Sequence, residues 1–450
     1  MQYFSQNIVP FIFVLGILVF VHEFGHYAVA KLFKVRVETF SLGFGKRLIG
    51  FRRGDTDYRI SLLPLGGYVK MAGENPMEAR TGDPGEFMSH PRWQRFLIAI
   101  AGPAMNIVLA VAVLAGVYMY RHEYPAYLYQ PAVLGWVTDG SAAQKAGLQT
   151  GDRITVIQGK QNPTWDDVRY KIFGSFNQSL AMDVQRGEQT VPVSMMVPAP
   201  KNDEVEILGE LGLSPKGPSI VKAVTHGDPA EKAGIQPGDE IVAVNDIQVQ
   251  SGNTIGLFEI LQKSKDQPAR ITTHRNGEVL ERTVVPQLLP DNQDKDKKSY
   301  RIGIALGPEF RTEQLPFRAA LRTAAEDCKK NSSLIFKLLG QLFTVKGTLG
   351  QFSGPVGIMQ ESGRAAKAGF YVLLEFMALI SLNLAIFNML PIPILDGGLV
   401  LMLLVESVMR RDIKQEVKER VYQAAFVFLV LFAAVVIFND VAKTLPGHFK

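Results

Sequence analysis

The chain has one cysteine, Cys328, among 450 residues. That excludes an intrachain disulfide and leaves the compartment open. The N-terminal tail, Met1–Asn7, contains no lysine or arginine. The apolar run after it therefore lacks the basic n-region of a signal peptide. No small-x-small cleavage site follows either, so the run is expected to be retained. A strong excess of one charge is also missing, since 48 Lys and Arg face 43 Asp and Glu. The small basic balance, with a pI near 9.0, comes from loops beside apolar segments, and no nucleic-acid partner is expected. Hydrophobic residues make up 47% of the chain and mean hydropathy is +0.09. This is too apolar for a typical soluble enzyme and not apolar enough for a chain wholly within a membrane, so a mixed protein of several domains is expected.

Four segments have the length and apolarity to span a hydrocarbon core of about 30 Å. They run from Ile8 to about Ala30, from Phe96 to Tyr120, from Phe370 past Pro391 and Pro393 to about residue 405, and from Val421 to about residue 440. The stretch Lys31–Arg95 carries twelve Lys and Arg, and the last two spans are separated by Arg410, Arg411, Lys414, Lys418 and Arg420. The positive-inside rule then puts these two loops in the cytoplasm. Both termini and the long segment between spans two and three lie outside, which for a bacterial inner membrane is the periplasm.

That outer segment repeats itself. "SAAQKAGLQTGDRITVIQGK" from Ser141 and "DPAEKAGIQPGDEIVAVNDI" from Asp228 are 87 residues apart and match at eight of twenty positions. Each reads as a short helix, a capping Gly, a Gly-Asp turn and an alternating strand. The pattern resembles PDZ domains in the circularly permuted form of bacterial proteases. Such a domain binds a peptide as an added strand. The strands Val133–Val137 and Ile220–Val224 are expected to border the two grooves. Further on, Leu315–Phe343 has apolar residues at helical spacing with Lys and Arg opposite, as in amphipathic helices lying on a membrane face.

The first span contains "ILVFVHEFGHYAVA", residues 17–30. Ionisable groups are costly in hydrocarbon, and such residues mark function by default. His22 and His26 are four apart, so on a helix they project from one face and are spaced to hold one Zn²⁺. Glu23 sits beside them, where it can take a proton from a water molecule at the metal. A catalytic zinc takes three protein ligands and keeps a position open. The third is expected from Asp396, which lies in an apolar stretch behind Pro391 and Pro393. These prolines forbid a continuous helix, and Gly397–Gly398 allow close backbone approach. His22 precedes Lys31 by nine residues, about 14 Å of helix at roughly 1.5 Å per residue. Water must reach that depth, so a polar passage is required. Tyr58–Met71 alternates like a strand; it is expected to re-enter the membrane face and pair with unwound substrate. In the second span, Ala101, Gly102 and Ala104 permit close helix packing, and Asn106 either orients a group near the zinc or bonds to a neighbouring helix.

With the His22-Glu23-Phe24-Gly25-His26 motif, "FSLGFGKRL", "LPLGGYVKM", "AGPAMN", "SGPVGI" and "NMLPIPILDGG", the chain resembles the site-2 protease family of intramembrane zinc metalloproteases over essentially its whole length. The resemblance is to the bacterial members with tandem PDZ domains. It implies one zinc per chain held by His22, His26 and Asp396, with Glu23 as general base. It also implies that Asn388, with Asn383 and Pro391 beside it, binds substrate; Gly66 and Gly67 of the strand-like segment are assigned to the same role. Family members often carry a polar residue after LDGG, where Leu399 stands here. The implied substrates are single-span membrane proteins already shortened by a first cleavage, such as an anti-sigma factor in an envelope stress response, and remnant signal peptides. The PDZ pair is read as a size filter and as a site for periplasmic peptide or protein contacts.

The expected fold is thus a polytopic α-helical membrane protein with four spans and two periplasmic, circularly permuted PDZ domains. Residues 1–125 and 361–450 form the protease core, with a β-hairpin at about 35–71. Residues 126–213 and 214–308 form the PDZ pair, and 309–360 the amphipathic helices. Two other classes fit the residues less well. An idle PDZ-bearing scaffold conflicts with intact site residues. A metal transporter predicts inverted repeats among the spans, and none is visible.

Overall fold

The computed structural model describes residues 2–74, 82–198, 207–249, 255–290, 298–341 and 354–444. Among these, four helices are long and apolar enough to cross a bilayer: Gln6–Leu32, Arg92–Tyr120, Phe370–Asn388 and Gln415–Phe438. The chain divides into two units. One comprises Met1–Arg121, Gln314–Phe336 and Leu349–Lys450, and the other His122–Glu313 and Lys337–Thr348.

In the first unit, Val14 and Leu18 of the first span pack with Leu373 and Met377 of the third and Ala365 of the helix Pro355–Ala368. The third span breaks as its prolines require. Its helix ends at Asn388 and a new one, Asp396–Met409, begins beyond Pro391 and Pro393. Between them Ile394 sits at φ +94°, a conformation that costs a β-branched residue energy. A Cβ at Gly397 would meet the carbonyls of Met389 and Leu390, and one at Gly398 that of Ile392. Only glycine lets the new helix start so close to the incoming chain. The expected amphipathic helix runs over Phe317–Gln341, and residues 342–343 lie outside the described range. Leu399 packs against the cluster of Ala30, Val37 and Phe40.

The expected hairpin is present as two long antiparallel strands, Val37–Arg53 and Thr56–Met71, which bend so that each pairs twice with the other. Val37–Leu42 pairs on one side with Gly67–Met71 and on the other with Asp57–Ile60, and the latter pairs in turn with Ile49–Arg53. Tyr58–Met71 lies within one strand, as expected, but its two halves pair with different parts of the partner strand. Its first half is central and its second half, Gly67–Met71, is an edge. Gly66, at φ +129°, lies against the Phe44 ring at the bend between them.

The second unit holds two modules with the same order of elements, which accounts for the sequence repeat. The helices Ala142–Lys145 and Pro229–Lys232 are followed by Gly147 and Gly234 at positive φ, then by Gly151 and Gly238, also at positive φ, in the Gly-Asp turns. The strands Arg153–Ile157 and Glu240–Val244, the helices Trp165–Phe173 and Ile255–Ser264, and a closing hairpin complete each module. Trp136 Nε1 donates to Glu259 at 2.9 Å and Lys263 pairs with Asp139 at 2.6 Å, so the two modules are fastened to each other. The expected groove borders are corrected. Ser219–Val224 lies inside its sheet, between Glu240–Val244 and Ile304–Pro308, and the edge is Ile304–Pro308. Leu134–Val137 is likewise flanked, by Leu213–Pro215 and by the Val133–Arg153 bridge.

The repeated aspartate has a partner that the repeat alone did not reveal. Buried Asp152 receives Arg186 at 2.7–2.8 Å, and buried Asp239 receives Arg275 at 2.5–2.8 Å. Each also accepts a backbone N–H of its own turn, from Gln149 and Gln236. Burial pushes the Asp239 carboxyl up, but the Arg275 guanidinium and the Gln236 amide outweigh it and hold the pKa below the ordinary value. A lowered folded-state pKa stabilises above the unfolded value, and that contribution is lost as pH falls through the folded one. Asp239→Ala is therefore expected to lower the midpoint of thermal unfolding at neutral pH by several degrees, with a smaller difference from wild type under acid. Calorimetry at the two pH values measures this.

Candidate metal centre

The helix Gln2–Leu32 sets His22 and His26 one turn apart, and the restarted helix delivers Asp396 in its first turn. The Nε2 atoms of the histidines are 3.3 Å apart. Asp396 lies 3.1 Å from His22 and 3.4 Å from His26, through its two carboxylate oxygens. Both imidazoles are buried. Donors held about 2.0–2.1 Å from a tetrahedral zinc stand roughly 3.3–3.4 Å from one another, which is the spacing found here. The Nδ1–H of His26 donates to the Ile98 carbonyl at 2.8 Å, leaving Nε2 as a bare lone pair aimed at the cluster. Converging lone pairs and a carboxylate in a buried place need a cation among them, so the donor set fits zinc.

Gly102 explains how the second helix comes so close. A Cβ there would overlap the His26 imidazole, and one at Gly25 would overlap the Ala101 backbone. Asn106 is fully buried with its amide 3.2 Å from His22 Nδ1, and Ser381 Oγ donates to its backbone carbonyl at 2.8 Å. Asn388 Nδ2 is 3.2 Å from His22 Nε2. Glu23, half-buried, hydrogen-bonds the backbone of Val69 in the edge strand. Gly67 packs beside it, where a Cβ would lie 3.4 Å from Glu23 Cγ.

The sequence-predicted residues Asn388 and Gly67 are therefore at the site, and Gly66 is one residue away. Among the described residues, Asn383 and Pro391 make no hydrogen bond or ion pair with the three donors. The side-chain oxygen of Asn383 is buried without a hydrogen-bond partner among the described residues, and Pro391 is exposed at the helix break. Sequence reasoning missed a cavity of about 460 Å³ that borders Asp396 and is lined by Lys70, Glu74, Arg95, Glu406 and Lys418 among others. Lys418, which the sequence offered as a loop cation, is buried against Glu406 at 2.7 Å. The available signal was a charge on each of two neighbouring helices, which linear spacing does not pair.

A membrane-spanning helix bundle with two histidines, an aspartate and an adjacent glutamate defines a metal-dependent hydrolase set among membrane helices. The sequence profile described as peptidase family M50 matches residues 10–432. The chain belongs to that family and is a zinc metalloprotease. It is 33% identical over 466 residues to a Salmonella typhimurium protein named regulator of sigma-E protease RseP, covering 97% of this chain and 98% of that one. It is 32% identical over 463 residues to the Escherichia coli protein of the same name, covering 98% and 99%. A Yersinia pestis protein named protease RseP is 32% identical over 463 residues, covering 97% and 98%.

Proposed function

We propose that this chain hydrolyses a peptide bond within the transmembrane segment of single-span membrane proteins already shortened by a first cleavage, as an anti-sigma factor would be in an envelope stress response. Remnant signal peptides meet the same description. The observation that carries the reading is the convergence of His22, His26 and Asp396 beside Glu23 and a sheet edge. Bound there, a zinc ion supplies the Lewis acidity that activates water and polarises a carbonyl. The imidazoles and the Asp396 carboxylate hold it. A carboxylate oxygen of Glu23 takes a proton from the attacking water and hands it to the departing nitrogen. The Asn388 amide donates to the substrate carbonyl, with Asn383 and Pro391 beside it.

A helical peptide bond is shielded by its own hydrogen bonds, so the substrate must unwind, and unwound backbone in a membrane needs new partners. The Gly67–Met71 edge supplies them within reach of Glu23. The charged cavity beside Asp396 meets the need for a water route. The two β-rich modules are read as circularly permuted PDZ domains, which bind peptide along Leu213–Pro215 or Ile304–Pro308 and limit entry by size. Resemblance to proteins named for sigma-E regulation supports the anti-sigma substrate class.

The reading requires the modules and both termini to be periplasmic in a bacterial inner membrane, with the site toward the cytoplasm. In a Cys328→Ser background, cysteine at exposed Glu188 is expected to react with an impermeant thiol reagent from outside, and cysteine at Asp412 is not. Reversed labelling would overturn the orientation.

A further inference from the structure

We propose that Asn106 is a positioning residue for His22, accepting the Nδ1–H through its side-chain oxygen and so fixing the tautomer that turns Nε2 to the metal. This rests on the reading that His22 is a zinc ligand.

The observation is a mismatch. Asn106 is fully buried, its Nδ2 faces His22 Nδ1 at 3.2 Å, and its Oδ1 has no hydrogen-bond partner among the described residues. His22 Nε2 is already committed, lying 3.1 Å from Asp396 and 3.3 Å from His26 Nε2. A ligating imidazole nitrogen carries no proton, so the ring proton of His22 belongs on Nδ1. An N–H cannot donate to an amide NH₂. Oxygen and nitrogen of an amide exchange by a half-turn about the last torsion, and which one points where is settled by the hydrogen-bond network. A half-turned Asn106 converts two opposed donors into an Nδ1–H to Oδ1 hydrogen bond.

The helix geometry supports the assignment. Ser381 Oγ, itself fully buried, donates to the Asn106 backbone carbonyl at 2.8 Å, which anchors this turn of the second span to the third. The same helix supplies the Ile98 carbonyl to His26 Nδ1 at 2.8 Å. The second span thus holds both imidazoles from behind, one by a main-chain oxygen and one by a side-chain oxygen, two helical turns apart. Backing of this kind fixes ring orientation and raises ligand basicity, and its loss typically weakens metal binding roughly 10–100-fold.

The test measures zinc affinity of the purified full-length protein by competition with a chelator, alongside thermal unfolding of the metal-free form. Asn106→Leu keeps the shape and removes the acceptor. It is expected to weaken zinc binding by about 10–100-fold while the metal-free protein melts no lower than wild type. Asn106→Asp keeps an acceptor and cannot donate. It is expected to hold zinc at least as tightly as wild type. Weakened binding in Asn106→Asp would show that the amide donates to the ring, and would overturn the proposal even if Asn106→Leu fails to fold. Unchanged affinity in Asn106→Leu would overturn it as well. His22→Ala run in parallel separates the two levels. If that variant binds zinc like wild type, the ligand assignment fails; if only His22→Ala loses zinc, the positioning role alone fails.

Discussion

Glu23→Gln is expected to bind one zinc per chain and to lose nearly all proteolysis, by about 10²–10⁴-fold, the usual size of a general acid–base contribution. Glutamine has the same length and keeps a hydrogen-bonding oxygen, but it cannot take a proton. Glu23 is not among the three converging donors, so removing its charge leaves the metal in place. His22→Ala or Asp396→Ala acts differently, because either deletes one of three donors and weakens zinc retention itself. Metal analysis after mild chelation, set beside turnover of a trimmed single-span peptide, separates the two effects. Wild-type turnover in Glu23→Gln would remove the general base from the mechanism.

The second large effect is on substrate choice. Gly238 stands at φ +94° in the Gly-Asp turn of the second module, and its N–H donates to the Val221 carbonyl at 2.8 Å. Proline is locked near −65° and has no N–H, so Gly238→Pro is expected to unfold this module. If the pair excludes substrates by bulk, that variant should cleave an untrimmed single-span protein at a rate approaching that of the trimmed one. Ala305→Arg, a bulky charge on the exposed edge strand of the same module, should then change little. If the module instead captures the fresh C-terminus of a trimmed substrate, Ala305→Arg should abolish cleavage of trimmed substrate and Gly238→Pro should not extend cleavage to untrimmed protein. Bulk exclusion is the outcome expected under the proposed reading. Equal rates on full-length and trimmed substrates by the intact protein would refute both schemes.

Much of this was legible in residues. The spacing of His22 and His26 is a property of any helix, and an apolar span is the strongest pattern a chain carries. Pro391 and Pro393 announced the break that presents Asp396. The repeat at Ser141 and Asp228 announced two copies of one module, because the capping and turn glycines must recur where the backbone needs positive φ. What stayed hidden depended on partners distant in sequence. Strand order is one case: Ile220–Val224 looked like a groove border, but the edge is supplied by Ile304–Pro308, some eighty residues on. The sheet around Val37–Met71 is another, since nothing local says that Val37–Leu42 will be flanked on both sides. Asn106 admits two readings from the sequence, and the one proposed draws on its burial, its distance to His22 and its orphaned oxygen. Lys418 looked like a loop charge until Glu406 was found against it.

The most direct test reconstitutes the purified full-length protein in lipid vesicles with a trimmed single-span substrate and maps the fragments by mass spectrometry. The expected result is a single cut inside the apolar segment that vanishes on chelation, returns with zinc, and is absent in Asp396→Ala. Cleavage that survives complete zinc removal, or that falls only outside the apolar segment, would contradict it.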